Sequence, residues 1–143
     1  MAVHKLAINL IDRLPNRFVG VPRLKSYFAS KLTGEILRFC SLTDNFKIEL
    51  NLSDSSENYL WFGCQPKEII SFLSSNLQTD SVFLDCGANL GIWTIIAFES
   101  IKKEGAIHCF EPNPKLCQRL KKKLVFNNLD EQCNLHQVAH SSD

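Results

Sequence analysis

The chain has 143 residues, 45% of them hydrophobic and 22% charged, an ordinary globular composition for about one domain that excludes wholesale disorder. Sixteen basic and fifteen acidic residues leave a net charge of +1, so no overall electrostatic signature of a nucleic-acid partner is present. No apolar run is long enough to span a bilayer, and the first residues lack the sustained apolar core of a signal peptide. The expectation is a cytoplasmic protein with neither a membrane nor a nucleic acid as partner.

Val3, Leu6, Leu10 and Leu14 recur at helical spacing until Pro15, which predicts a first helix. A weaker helical pattern covers 22–32, with Leu24, Tyr27, Phe28 and Leu32 on one side and Gly34 after it. Residues 35–40 fit no single pattern. Phe46, Ile48, Leu50 and Leu52 then alternate with Lys47, Glu49 and Asn51, the period of a half-buried strand. A polar turn over 53–58 followed by Tyr59-Leu60-Trp61-Phe62 predicts the return strand of an antiparallel hairpin. Pro66 suits the first turn of a helix whose apolar stripe is Ile69, Ile70, Phe72, Leu73 and Leu77.

From Ser81 the pattern becomes regular. A strand over 81–85 leads to a helix over 91–102 that is apolar nearly all round, then a strand over 106–110. Pro114 opens a helix with Leu116, Cys117, Leu120 and Leu124 on one face, Asn127 and Asn128 end it, and a third strand covers 134–138. This alternation predicts an α/β fold, a Rossmann-like doubly wound parallel sheet with right-handed crossovers. The domain organisation expected is a helical lead-in over 1–44, a β-hairpin and lead-in helix over 45–80, and the first half of the Rossmann-like domain over 81–143. Lys121, Lys122 and Lys123 are expected on a solvated helix face. The six cysteines form no C-x-x-C pair and no zinc-spaced cluster with histidine, so they are read as reduced thiols and no metal site is expected.

Two motifs carry the chemistry. Val82-Phe83-Leu84-Asp85 ends an apolar run in an acid, and Gly87 and Gly91 bound the turn that follows. The next apolar run ends in Phe110-Glu111-Pro112-Asn113-Pro114, with Glu111 lying 20 residues after Gly91. Open parallel sheets bind ligands beyond the carboxyl ends of their strands, where both acids fall. Gly87 permits an unusual turn or close backbone approach. Gly91 opens a helix whose free amide groups can receive an anionic group, and Glu111 is placed to accept hydrogen bonds from both hydroxyls of a ribose. A dinucleotide fingerprint starting at Gly87 requires glycines at 89 and 92, where this chain has Asn89 and Ile92. No G-K-[ST] follows, so a phosphate-cradling loop is absent as well. The pattern D-x-G-x-N-x-G suits S-adenosylmethionine, which has a ribose but no pyrophosphate and whose cationic amine can turn toward Asp85. Asn89 serves either the turn or the cofactor, while Trp93 reads as core.

Leu84-Asp85-Cys86-Gly87-Ala88-Asn89-Leu90-Gly91-Ile92-Trp93-Thr94, together with Phe110-Glu111-Pro112-Asn113-Pro114, resembles the FkbM-type methyltransferases, whose motifs read D-V-G-A-N-x-G-x-x-T and F-E-P-x-P. Trp61-Phe62-Gly63 and the alanine-and-serine stretch after the third strand also resemble that family, and the likeness covers about 60–143. It implies a class I S-adenosylmethionine-dependent methyltransferase, often acting at oxygen on a small molecule or a sugar. Asp85, Gly87, Ala88, Asn89 and Gly91 would hold the methionine end of the cofactor, Glu111 its ribose, with Asn113 beside it. Cys86 stands in place of a common valine, and His140 where a leucine is frequent.

Such a domain has about seven strands and this chain supplies three, in the order third, second, first, which leaves one edge of the first strand unpaired. The catalytic residues are therefore not assigned, and His108, His136 and His140 read as structural or exposed. Two other readings stand beside an amino-terminal methyltransferase fragment. One is a non-catalytic module that pairs with itself or a partner through the open sheet edge; the other is an NAD-type oxidoreductase fragment.

Overall fold

The structure is a computed structural model that describes residues 2–15, 20–31, 35–63, 67–101 and 104–138. The chain divides into two compact units, Met1–Cys40 with Ile48–Pro66, and Ser41–Lys47 with Lys67–Asp143.

The first unit begins with helices α1 (Ala2–Asp12) and α2 (Val21–Ala29). Gly20 precedes α2 at φ 93°, a left-handed entry that favours glycine, and Pro22 occupies the first turn. Strands β1 (Leu37–Ser41) and β2 (Lys47–Asn51) form the antiparallel hairpin. It is closed at the tip by Leu42 N–H to the Phe46 carbonyl (2.9 Å) and at the base by Leu52 N–H to the Ile36 carbonyl (2.8 Å). The hairpin is thus present, but its partner strand lies upstream, in the segment that showed no single pattern. Tyr59–Phe62 is not the return strand, because Ser55–Trp61 is helix α3. Asp54, extended at φ −83° and ψ 132°, caps this helix: its Oδ1 accepts the N–H groups of Ser56 (2.9 Å) and Glu57 (3.2 Å).

Burial on α2 is the reverse of the expectation. Leu24, Tyr27 and Phe28 are more than half exposed, whereas Lys25, Ser26 and Ala29 are buried. The buried polar groups of α2 are satisfied within this unit, which is what makes the inversion tolerable. Lys25 Nζ donates to the Asp12 carbonyl (3.1 Å), Ser26 Oγ donates to Asn58 Oδ1, and Asn58 Nδ2 donates to the Leu52 carbonyl (3.3 Å). Glu57 Oε2 accepts the Asn51 N–H at 2.7 Å. Ile8, Ala29, Ile48, Leu50, Leu52 and Phe62 supply the apolar part of this core.

The second unit follows the predicted alternation closely: α4 (Lys67–Asn76), β3 (Val82–Cys86), α5 (Ile92–Ala97), β4 (Ala106–Phe110), α6 (Pro114–Phe126) and β5 (Cys133–His136). The three strands form a parallel sheet in the order β3-β4-β5, with Asp85 opposite Cys109, and Cys86 opposite Phe110. α5 is buried through Ile92, Thr94, Ile95, Ile96 and Ala97, with Trp93 half-buried. Asn113 caps α6 by accepting the Lys115 N–H (2.9 Å), and Asn127 ends it.

Side chains alternate between the faces of a strand, and here the two faces differ. Asp85, Ile107 and Cys109 are buried on the face that α5 covers, and right-handed crossovers place α6 on that same side. On the opposite face Val82 is 65% and Leu84 57% exposed, and Cys86 is exposed as well. A strand buried on both sides, as its apolar sequence suggested, is therefore not what is found: Val82, Leu84 and Cys86 stay exposed on one face, and among the described residues β3 pairs only with β4. Replacing both outward residues (Val82→Thr with Leu84→Thr) is expected to reduce self-association in sedimentation velocity while moving the unfolding midpoint little, since exposed positions contribute within about 0.5 kcal/mol. Unchanged sedimentation behaviour would show that this face is not sticky.

Lys123 departs from the expectation for the lysine run. Lys121 and Lys122 are exposed, but Lys123 is buried, and its Nζ donates to the Leu90 carbonyl at 3.3 Å. Spacing explains this, because Lys123 lies three residues after Leu120 on the face that packs inward. The five described cysteines are free thiols, and Cys64 lies outside the described residues.

Candidate functional site

The site is built at the carboxyl ends of β3 and β4. After Cys86 the backbone turns through Gly87 (φ 83°), Asn89 (φ 48°) and Gly91 (φ 74°), three left-handed residues at alternate positions. Both Gly87 N–H (2.8 Å) and Ala88 N–H (3.0 Å) donate to the Phe110 carbonyl, so the turn is fastened to the tip of β4. Gly91 N–H closes the turn on the Ala88 carbonyl at 2.7 Å, and Lys123 holds the Leu90 carbonyl from α6.

The two glycines have different reasons to be glycine. A Cβ at Gly91 would collide with Leu120 Cδ1, so this position is set by packing against α6 as well as by its dihedral. A Cβ at Gly87 would meet nothing within 4 Å, so space lies open over the turn there.

Glu111 ties the two motifs together. Its side chain is only 5% exposed, with Oε2 accepting the Asn89 N–H (2.8 Å) and Oε1 the Asn113 N–H (2.9 Å). A carboxylate has about four lone-pair sites, so two backbone donors leave acceptor capacity on both oxygens. Asp85, 6% exposed, is committed to α5: its Oδ2 accepts the Thr94 N–H (3.1 Å) and the Thr94 hydroxyl (2.5 Å). Thr94 was visible in the motif, but its role as the anchor of Asp85 was not. Asn113, placed in the pocket by resemblance, caps α6 with its side chain and supplies its N–H to Glu111. Asn89 has an exposed side chain, and its backbone N–H is what engages Glu111. Trp93 is half-buried rather than fully in the core.

Burial raises the pKa of Asp85 above its ordinary value, and the Thr94 hydrogen bonds only partly offset this. A carboxyl whose folded pKa is raised favours folding when protonated. That advantage is full below the unfolded pKa near 3.8 and is lost as pH rises through the raised folded value. Asp85→Asn keeps an acceptor for Thr94 without the charge. It is expected to gain stability over the parent as pH rises from about 4 to 7. Urea midpoints across that range measure the difference, and a gap that narrows with pH would refute the assignment.

Two histidines also meet. His108 Nδ1 and His136 Nε2 lie 3.1 Å apart across β4 and β5, and the His136 ring stacks on Phe110 at 4.7 Å between centroids. His140 lies outside the described residues. On the covered face the Cys109 and Cys133 sulfurs are 2.8 Å apart, and the hydrogen bond to Cys109 together with burial pushes the Cys133 thiol up. Among the described residues no three metal-ligating side chains converge. No helix there is long and apolar enough to cross a membrane. A cavity of about 550 Å³ lined by Phe46, Thr79, Phe98, Leu129 and Gln132 lies at the amino ends of the strands, away from the glycine turn.

No protein-family model and no curated protein matches the chain. Solved structures do. TYW2 from P. horikoshii in complex with MeSAdo superposes with a TM-score of 0.57 at 11% identity, covering 76% of this chain and 38% of that one. Methanocaldococcus jannaschii Trm5 in complex with adenosine gives 0.51 at 13%, covering 76% and 31%. A Clostridium thermocellum protein provisionally named as an rRNA-methylase gives 0.50 at 18%, covering 52% and 40%. The chain thus spans between about a third and two fifths of the length of these structures. What it shares with them is a Rossmann-like α/β fold.

Proposed function

We propose that this chain carries the S-adenosylmethionine-binding portion of a methyltransferase of the FkbM type. The observation that supports it most is the Glu111 carboxylate, buried at the end of β4 and bonded to Asn89 N–H, which brings a ribose acceptor against the glycine turn. The residues present fit the cofactor: acceptor capacity remains on Glu111, and the space over Gly87 is open. In this reading Gly87, Ala88, Asn89 and Gly91 bind the methionine end, the Asp85 carboxylate faces its amine, and Glu111 orients the ribose. Asn113 fixes Glu111 through its backbone. When bound, S-adenosylmethionine supplies an electrophilic methyl group. The chain's own contribution is to bind and orient it, and no acceptor-activating base is assigned.

The side chain of Asn89 stands where a dinucleotide fold needs glycine for the pyrophosphate, which disfavours NAD. Calorimetry tests the choice: S-adenosylhomocysteine is expected to bind and NAD not to bind, and NAD binding alone would overturn the proposal. The acceptor proposed from the motif resemblance is an oxygen of a small molecule or sugar. An RNA acceptor is the second reading, favoured by the likeness to the C. thermocellum protein and contrary to the expectation that no nucleic acid is involved. Transfer of a labelled methyl group to total RNA or to a saccharide pool separates the two.

A further inference from the structure

The net charge of +1 averages over a strong asymmetry. The first 40 residues hold seven basic and two acidic residues, a net +5, whereas the remaining 103 hold nine basic and thirteen acidic, a net −4. The rest of the first unit adds Glu49, Asp54 and Glu57, of which Asp54 and Glu57 accept backbone N–H groups. The same 40 residues contain two helices with apolar side chains turned outward. On α1 and just beyond it, Leu6, Leu10 and Leu14 recur every fourth residue at 50–61% exposure, while Ile8 is buried. On α2, Leu24, Tyr27 and Phe28 are 51–57% exposed, and its buried side is Lys25, Ser26 and Ala29. Arg23 and Lys31 flank this stripe, exposed, and the Lys31 ammonium sits 5.0 Å from the Tyr27 ring centroid.

We propose that this basic, inside-out helical segment docks on an anionic lipid surface. Apolar side chains interleaved with exposed basic groups are what an interfacial helix presents to headgroups and the acyl boundary, with the lysine stem lying along the ring and the charge reaching the phosphates. Four of the six outward residues are leucines. These bury well in an acyl boundary but offer no ring on which a base could stack, so a lipid surface fits better than single-stranded RNA. The docking is peripheral, and the charge complementarity selects anionic over zwitterionic lipid.

The test is co-sedimentation of the full chain with vesicles of phosphatidylcholine alone or with about one third phosphatidylserine. Binding is expected only to the serine-containing vesicles, weakening as salt is raised. Leu24→Ser with Phe28→Ser should cut it at least tenfold, and Arg23→Gln with Lys31→Gln by about fivefold per residue. All four positions are exposed, and an unchanged urea midpoint confirms that the variants fold. Equal binding to both vesicles, or binding indifferent to the variants, would overturn the proposal. So would binding of RNA without vesicles, or a discrete dimer that the leucine and phenylalanine variants dissolve in the absence of lipid.

Discussion

Gly91→Ala is expected to destabilise the chain by about 2–5 kcal/mol. Two costs combine. A non-glycine residue in the left-handed region costs roughly 1–2 kcal/mol, and Gly91 sits there at φ 74°. The added Cβ also runs into Leu120 Cδ1, and Leu120 is fully buried, so the clash has no easy outlet. Overpacking of that kind costs about 1–3 kcal/mol. Urea denaturation of the parent and variant measures the sum. A double-mutant cycle with Leu120→Val separates the parts: it should recover the steric share and leave the dihedral share. Gly87→Ala is the control, since it shares the left-handed dihedral but meets nothing. Its loss should be the smaller, and equal losses at both positions would refute the packing argument.

Glu111→Ala is expected to weaken binding of S-adenosylhomocysteine by at least about 100-fold, as loss of two charge-assisted hydrogen bonds at roughly 1.5 kcal/mol each implies. The substitution removes the proposed ribose acceptor and releases the Asn89 and Asn113 amides together. Stability should fall as well, so the informative comparison is with Asn113→Ala. That variant loses the α6 cap, at about 1 kcal/mol, yet keeps its backbone N–H on Glu111. It should therefore lose stability and little affinity. If both variants lose affinity in proportion to stability, Glu111 is a structural tie and not a ligand.

The second unit was readable from sequence because each local signal agreed with its neighbours. Pro114, Asn113 and Asn127 mark the ends of α6, and β4 falls on the residues that its apolar run indicated. Leading up to it, the chain gave weaker or misleading signals. Tyr59-Leu60-Trp61-Phe62 has strand-like composition, but Asp54-Ser55-Ser56-Glu57 is a helix-start signal that outweighs it, since a satisfied cap fixes the first turn. The α2 pattern correctly marked a helix and could not say which side faced inward. That choice rests on long-range polar partners, Asp12 for Lys25 and Asn58 for Ser26, which no local window contains. At the site the motif residues were evident, while the anchoring of Asp85 by Thr94 and of Leu90 by Lys123 depends on how α5 and α6 return to the sheet.

The exposed face of the sheet and the edge of β3 left unpaired among the described residues have a single geometric remedy. A parallel strand reached from β5 and laid against the far side of β3 reverses the direction in which the sheet grows. A right-handed crossover into that position carries its helix across the face opposite α5 and α6. One strand-plus-helix step would thus cap the edge and shield Val82 and Leu84 together, whether the same polypeptide or a separate one delivers it. Edge and face are therefore one vacancy, and a strand peptide alone, without a helix, would satisfy the backbone of β3 and leave its outward leucine and valine wet.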